Sequence, residues 1–182
     1  MSTQDSPLSH VRDHLLSPGG LEDRHLEATL GSLMSHRLDY ADLYFQSTRS
    51  EAWVLEDNIV KEGSHSIERG VGVRAVSGEK SGFAYSDDLQ INALEQAAGA
   101  ARAIASSGGD GAVQAWSRPA GHALYQPVDP LTSFDEHQRI ALLEALDTHA
   151  RAQDPRVKQV IVSLSGEHSR IMVVASDGTM SA

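Results

Sequence analysis

Asp42-Leu-Tyr-Phe-Gln-Ser47, Ala52-Trp-Val-Leu55, Ile67-Glu-Arg-Gly-Val-Gly-Val-Arg-Ala-Val76 and Ser81-Gly-Phe-Ala-Tyr85 follow one another closely in the chain, and in each β-branched and aromatic residues mix or alternate with polar ones. A period of two is the mark of half-buried strands. The links Asp57-Asn58, Glu62-Gly63-Ser64 and Ser77-Gly78-Glu79-Lys80 carry turn residues, and links this short join strands antiparallel. Around this block the pattern is helical. Ser6-Pro7 offers a cap with proline in the first turn, and Leu8, Val11 and Leu15 recur at helical spacing until Ser17-Pro18-Gly19-Gly20. Leu26, Leu30, Leu33 and Met34 make one apolar stripe on a helix over about 21–37. Asp87-Asp88 can cap a helix from Leu89 to about Ser106, with Leu94, Ala98, Ala101 and Ala105 as a small-residue face.

Residues 108–132 include Pro119, Gly121, Pro127 and Pro130 and read as irregular, pinned to the core by Trp116 and Tyr125. An internal boundary is expected there. Ser133-Phe-Asp-Glu136 then reads as a capping box, opening a helix with Ile140, Leu143 and Leu146 inside that ends at Asp154-Pro155. Two strands, Gln159–Leu164 and Arg170–Ala175, joined by Ser165-Gly166-Glu167-His168, complete the pattern. The order helix, strand, turn, strand occurs at 21–60 and again at 133–178, which leaves an internal repeat open. The expected fold is α+β, with antiparallel strands packed against helices on one face.

Composition removes whole classes of function. With 15 Lys+Arg against 25 Asp+Glu in 182 residues, the net charge is −10. No basic cluster offers a phosphate-neutralising surface, so direct nucleic-acid binding is not expected. There are no cysteines, hence no disulfide, no thiol nucleophile and no Cys-ligated zinc within these residues. No apolar run approaches the roughly 20 residues that span a bilayer, and residues 1–20 lack a basic start followed by an apolar stretch. A cytoplasmic protein without a membrane partner is expected.

The chemistry-bearing patterns each have a plainer explanation. His10 and His14 lie four apart on one helical face, a spacing zinc can use, but no Glu follows the first and no third ligand is near, so a solvated face is expected. Glu136-His137 and Glu167-His168 place histidines beside acids, as exposed loop or cap residues. Ser77-Gly-Glu-Lys80 matches an S-x-x-K nucleophile pattern and fits a hairpin turn better. Gly70-Val-Gly72 lacks a third glycine and a following helix, so it reads as a bulge or a place where another backbone passes close. Glu56 and Asp57 are adjacent and point to opposite sides of a strand unless a turn begins there. No G-x-S-x-G, P-loop, H-E-x-x-H or H-E-x-x-x-H string occurs. No catalytic or metal residue is assigned, and substrate-binding residues are left open.

Arg37-Leu-Asp-Tyr-Ala-Asp-Leu-Tyr-Phe-Gln46, Trp53-Val-Leu-Glu-Asp57 and Gly70-Val-Gly-Val-Arg-Ala-Val-Ser-Gly-Glu-Lys-Ser-Gly-Phe-Ala-Tyr85 closely resemble the N-terminal domain of the TldD branch of the bacterial TldD/PmbA metalloprotease family, once described as a modulator of DNA gyrase. Ala93-Leu-Glu-Gln96, Val128-Asp-Pro-Leu131, Ser163-Leu-Ser-Gly166 and Asp177-Gly-Thr179 are similar in the same order. The resemblance implies that residues 1–182 are an N-terminal domain, with an internal boundary within 108–132, of a cytoplasmic peptidase subunit. That subunit would pair with a PmbA/TldE-like subunit and cleave unfolded peptides. The family's zinc site, an H-E-x-x-x-H helix and a distant cysteine, belongs to a C-terminal metallopeptidase domain absent here, so no catalytic or metal residue is carried over. The contrasting expectation is a stand-alone protein- or ligand-binding module without enzymatic activity.

Overall fold

The computed structural model describes residues 7–35, 37–105 and 128–182. Among them, helices α1 (Pro7–Leu16) and α2 (Asp23–Met34) precede strands β1 (Tyr40–Glu56), β2 (Ile59–Ser77) and β3 (Lys80–Ser86). Helix α3 (Ile91–Ala105), a 3₁₀ turn at Pro130–Thr132, helix α4 (Glu136–Gln153) and strands β4 (Ile161–Ala175) and β5 (Met180–Ser181) follow. The strands form one antiparallel sheet in the order β3-β2-β1-β4-β5, so the fold is the expected α+β. Ser6, Trp116 and Tyr125, and most of the boundary expected within 108–132, lie outside the described residues.

The chain divides into two compact units, one of Met1–Ser47, Glu68–Gln126 and Arg170–Ala182, the other of Thr48–Ile67 and Pro127–Ser169. The first holds the hydrophobic core. Ala41, Leu43 and Phe45 of β1, Val71, Val73 and Ala75 of β2, and Met172 and Val174 of β4 are buried on one face. Against them pack Leu15, the expected α2 stripe of Leu26, Leu30, Leu33 and Met34, and the α3 face of Leu94, Ala98, Ala101 and Ala105. Burying one such Leu or Phe is worth about 1.5–3 kcal/mol. Gly82 makes the small-residue face effective: a Cβ there would strike the Ala101 carbonyl, so glycine lets α3 lie directly on β3.

In the second unit β4 alternates cleanly. Even-numbered residues of β4 from Val162 to His168 are half-buried, while their odd-numbered neighbours are exposed. The covered face lies under α4 and the 3₁₀ turn, with Leu55, Leu131 and Leu143 buried.

Several local expectations are corrected. The segments around 42–47 and 52–55 are one 17-residue strand, and those around 159–164 and 170–175 are one 15-residue strand. Glu62-Gly63-Ser64 and Ser165-Gly166-Glu167-His168 are strand interior rather than turns. Their glycines are packing sites: a Cβ on Gly63 would come within 3.3 Å of the Trp53 ring, and one on Gly166 within 2.8 Å of Leu131 Cδ2. The box opening α4 is formed two residues later than expected. Asp135 accepts from Gln138 N at 2.8 Å, and Gln138 Oε1 accepts from Asp135 N at 2.9 Å, while Ser133 closes the 3₁₀ turn. Within α4, Leu143 is buried, but Ile140 is only half-buried and Leu146 is exposed. The buried position one turn beyond Leu143 belongs to Asp147, whose charge is met by Arg151.

Two of the links expected as turns are turns. Asp57 and Asn58 both have positive φ, 48° and 63°, the handedness a two-residue hairpin loop prefers. Gly78, at φ 58°, begins the second, where Ser77 pairs with Lys80.

Candidate functional site

Charge concentrates on the covered face of the second unit. Alternation along β1 puts Arg49, Glu51 and Trp53 on the same side. Arg49 Nη2 donates to Asp129 Oδ2 at 3.0 Å, and Asp129 also caps the 3₁₀ turn by accepting from Leu131 N at 3.1 Å. His168 Nδ1 lies 3.5 Å from the same Asp129 oxygen. From α4, Arg139 Nη1 stands 2.9 Å from Glu51 Oε2. That contact is ionic without hydrogen-bond alignment, since Glu51 Oε2 has no hydrogen-bond partner among the described residues. Arg139 also donates to the Leu131 carbonyl. Trp53 Nε1 is buried and makes no hydrogen bond among the described residues.

These side chains border a cleft of about 190 Å³ lined by Glu51, Trp53, Pro130, Leu131, Phe134, Arg139, Leu164, Ser165 and Gly166. Ligand pockets usually run from about 300 Å³ upward, so this is a seam between the 3₁₀ turn, α4 and the strands. A more open hollow of about 490 Å³ is lined by Ser50, Glu51, Ala52, Ser64, His65, Ser66, Ser165, Gly166 and Glu167.

Two further charge clusters brace the turns and the first unit. Arg151 donates to Asp147 Oδ2 at 2.8 Å and also to Asp57 at the hairpin tip. Asp57 Oδ1 accepts from Val160 N at 3.2 Å. The Arg151 guanidinium and then the Val160 amide hold the Asp57 carboxyl below the usual aspartate range, and Asp147 and Asp57 raise Arg151. In the first unit Arg74 Nε donates to Asp42 Oδ2 at 2.7 Å, and its guanidinium sits 5.5 Å from the Tyr40 ring centre. Burial, then Asp42 and Asp177, push the Tyr40 phenol upward.

The residues singled out from sequence do not converge. His10 and His14 are both exposed on α1. His137 is exposed at the start of α4, whereas His168 is a half-buried strand residue beside Asp129, which corrects its assignment to an exposed loop or cap. A turn does begin at Asp57, and the two adjacent acids are engaged separately, Glu56 accepting from Gln159 Nε2 at 2.6 Å. Ser77 is buried, with its hydroxyl donating to the Arg37 carbonyl at 3.3 Å. Asp88 accepts from Gln90 N at 2.9 Å at the entrance to α3. Gly70 and Gly72 lie beneath the Tyr85 and Phe83 rings of β3, and the Ser86 carbonyl also approaches Gly70. Arg49, Glu51, Asp129 and Arg139 went unnoticed in the sequence. Arg49 and Glu51 lie on β1, Asp129 caps the 3₁₀ turn and Arg139 lies on α4, so the partners are remote in sequence and only the fold pairs them.

Among the described residues no three His, Asp or Glu side chains gather as metal ligands. With no cysteine in the chain, the donors described do not fit zinc. The geometry defines an α+β domain whose polar side chains are spent on ion pairs between elements.

Known proteins extend that picture. Residues 41–105 match the family described as PmbA/TldA metallopeptidase domain 1, and residues 129–182 match the PmbA/TldA metallopeptidase central domain. A Haemophilus influenzae protein named metalloprotease TldD homolog is 45% identical over 178 residues, covering 96% of this chain and 37% of that protein. Among solved structures, a Bacteroides thetaiotaomicron protein described as a candidate modulator of DNA gyrase superposes with a TM-score of 0.65 at 13% identity, covering 87% of this chain and 37% of that one. TldE from Thermococcus kodakarensis does so with a TM-score of 0.60 at 17% identity, covering 86% and 36%. At such identities these two show the shared fold alone. The chain belongs to the TldD/PmbA metallopeptidase family, and it spans little more than a third of the length of the curated relative it matches. No helix among the described residues is long and apolar enough to cross a membrane.

Proposed function

We propose that this chain is the non-catalytic N-terminal part of a TldD-like zinc metallopeptidase subunit that acts in the cytoplasm on unfolded peptides, pairs with a PmbA/TldE-like subunit and helps to enclose the substrate. The observation that carries this reading is the 45% identity, over nearly all of this chain, to a protein named metalloprotease TldD homolog. Zinc and its general base would come from a C-terminal domain with an H-E-x-x-x-H helix and a cysteine. The net charge of −10 speaks against nucleic acid as a direct ligand. Enclosure would exclude folded proteins by size while admitting an extended chain.

Light scattering on a mixture with a PmbA-like subunit tests the reading. A defined complex is expected, together with altered cleavage when a full TldD-like enzyme is made without residues 1–182. No complex and unchanged cleavage would refute it.

A further inference from the structure

β4 is an edge strand over most of its length. β1 pairs with one side of it, and on the other β5 reaches only Val173 and Val174. From Ile161 to Ile171 no described strand meets the outer edge. The β1 pairing fixes which backbone groups face outward: Asp57 N donates to Val160 O and Ser176 N to Ala41 O, the same register at both ends. Even-numbered amides of β4 therefore turn toward β1, and odd-numbered amides turn outward.

Soluble proteins guard such edges with lysine, proline or bulges. β2 carries Lys61, Glu62, Glu68 and Arg69 along its exposed half. β4 has neither lysine nor proline between Ile161 and Ser169, and its one acid there is Glu167. The exposed residues of this stretch, Ile161, Ser163, Ser165, Glu167, Ser169 and Ile171, read nearly the same in both directions about Gly166. Ile161 and Ile171 are 64% and 39% exposed, so the ends of the stretch are apolar and accessible.

We infer that this edge is where a second copy of the chain adds, antiparallel, about a two-fold axis at Gly166. That register sets Ile161 against Ile171, Ser163 against Ser169 and Ser165 against Glu167 of the other copy. The same odd-numbered residues supply the outward amides, so side-chain matching and backbone hydrogen bonding are satisfied together. Centring the axis one position later would keep the outward amides in phase but would oppose Glu167 to Glu167 of the other copy, a like-charge pair that disfavours that register. A single strand pair buries less than the ~800 Å² per partner of a standard interface, so the dimer is a weak, concentration-dependent one.

Sedimentation equilibrium on the 182-residue chain, from low micromolar to near-millimolar concentration, reads the association. By symmetry Ser165→Glu places two carboxylates against Glu167, and Ser165→Lys places two ammonium groups there. Cross-strand charge pairs predict association weakened about tenfold by the first and tightened about threefold by the second. Circular dichroism and melting temperature, unchanged in both, keep the comparison to folded protein, since Ser165 is exposed. A chain that stays monomeric throughout overturns the inference. So do two variants that shift association in the same direction, or a monomer that takes up an added extended peptide at this edge.

Discussion

Arg151 holds two carboxylates from distant parts of the chain, Asp147 on its own helix and Asp57 at the hairpin tip. Asp147 is almost fully buried, so truncating its partner strands a charge. Arg151 is itself one-third exposed, so Arg151→Ala is expected to lower the urea denaturation midpoint, by less than truncating one member of a wholly buried pair would. The double change Arg151→Met with Asp147→Leu, which removes both charges at similar volume, should recover most of that loss. These roles were not legible in the sequence. Asp57 was visible as a turn residue and as the neighbour of Glu56, not as a partner of α4, and Asp147 falls where the helical pattern asks for an apolar side chain. Only the fold brings residues 57, 147, 151 and 160 to one place.

Elements were legible where one physical signal dominated. The α2 stripe and the small face of α3 follow from apolar spacing, and both are buried as expected. Strand ends were misjudged because glycine and serine mark turns by default. Gly63 and Gly166 are instead small so that Trp53 and Leu131 can pack over them, a reason that depends on the neighbouring element. The start of α4 has the same lesson, since Ser133 and Glu136 satisfy the capping pattern while Asp135 and Gln138 make the bonds. Asp135→Ala is therefore expected to destabilise by about 1 kcal/mol, the usual cost of losing an N-cap side chain. Ser133→Ala should change the denaturation midpoint little, and a larger effect at Ser133 than at Asp135 would contradict the observed cap.

At the scale of the whole chain the two units rest on different forces. The buried cluster, from Leu15 to Met180, lies entirely within the first unit. The second buries Leu55, Leu131 and Leu143 among its hydrophobic residues and is tied by Arg49–Asp129, Arg139–Glu51, Arg151–Asp57 and Arg151–Asp147. Partly exposed ion pairs contribute little each and weaken with salt, so the second unit should open more readily. Hydrogen exchange is expected to show weaker protection at 48–67 and 128–169 than at the buried positions of β1, β2 and α3 in the first unit. Acid should widen the gap. Asp57 and Asp154 are held below their ordinary values by Arg151 and Arg156, and a carboxyl with a lowered folded value stabilises above the unfolded one and stops doing so as pH falls through the folded one. Exchange in the second unit should thus accelerate, relative to the first, as pH drops below about 4, the ordinary range of aspartate. The comparison is made after correction for the intrinsic pH dependence of exchange. Equal protection of the two units at neutral pH, or loss of both together in acid, would show that the ion pairs do not set the stability of the second.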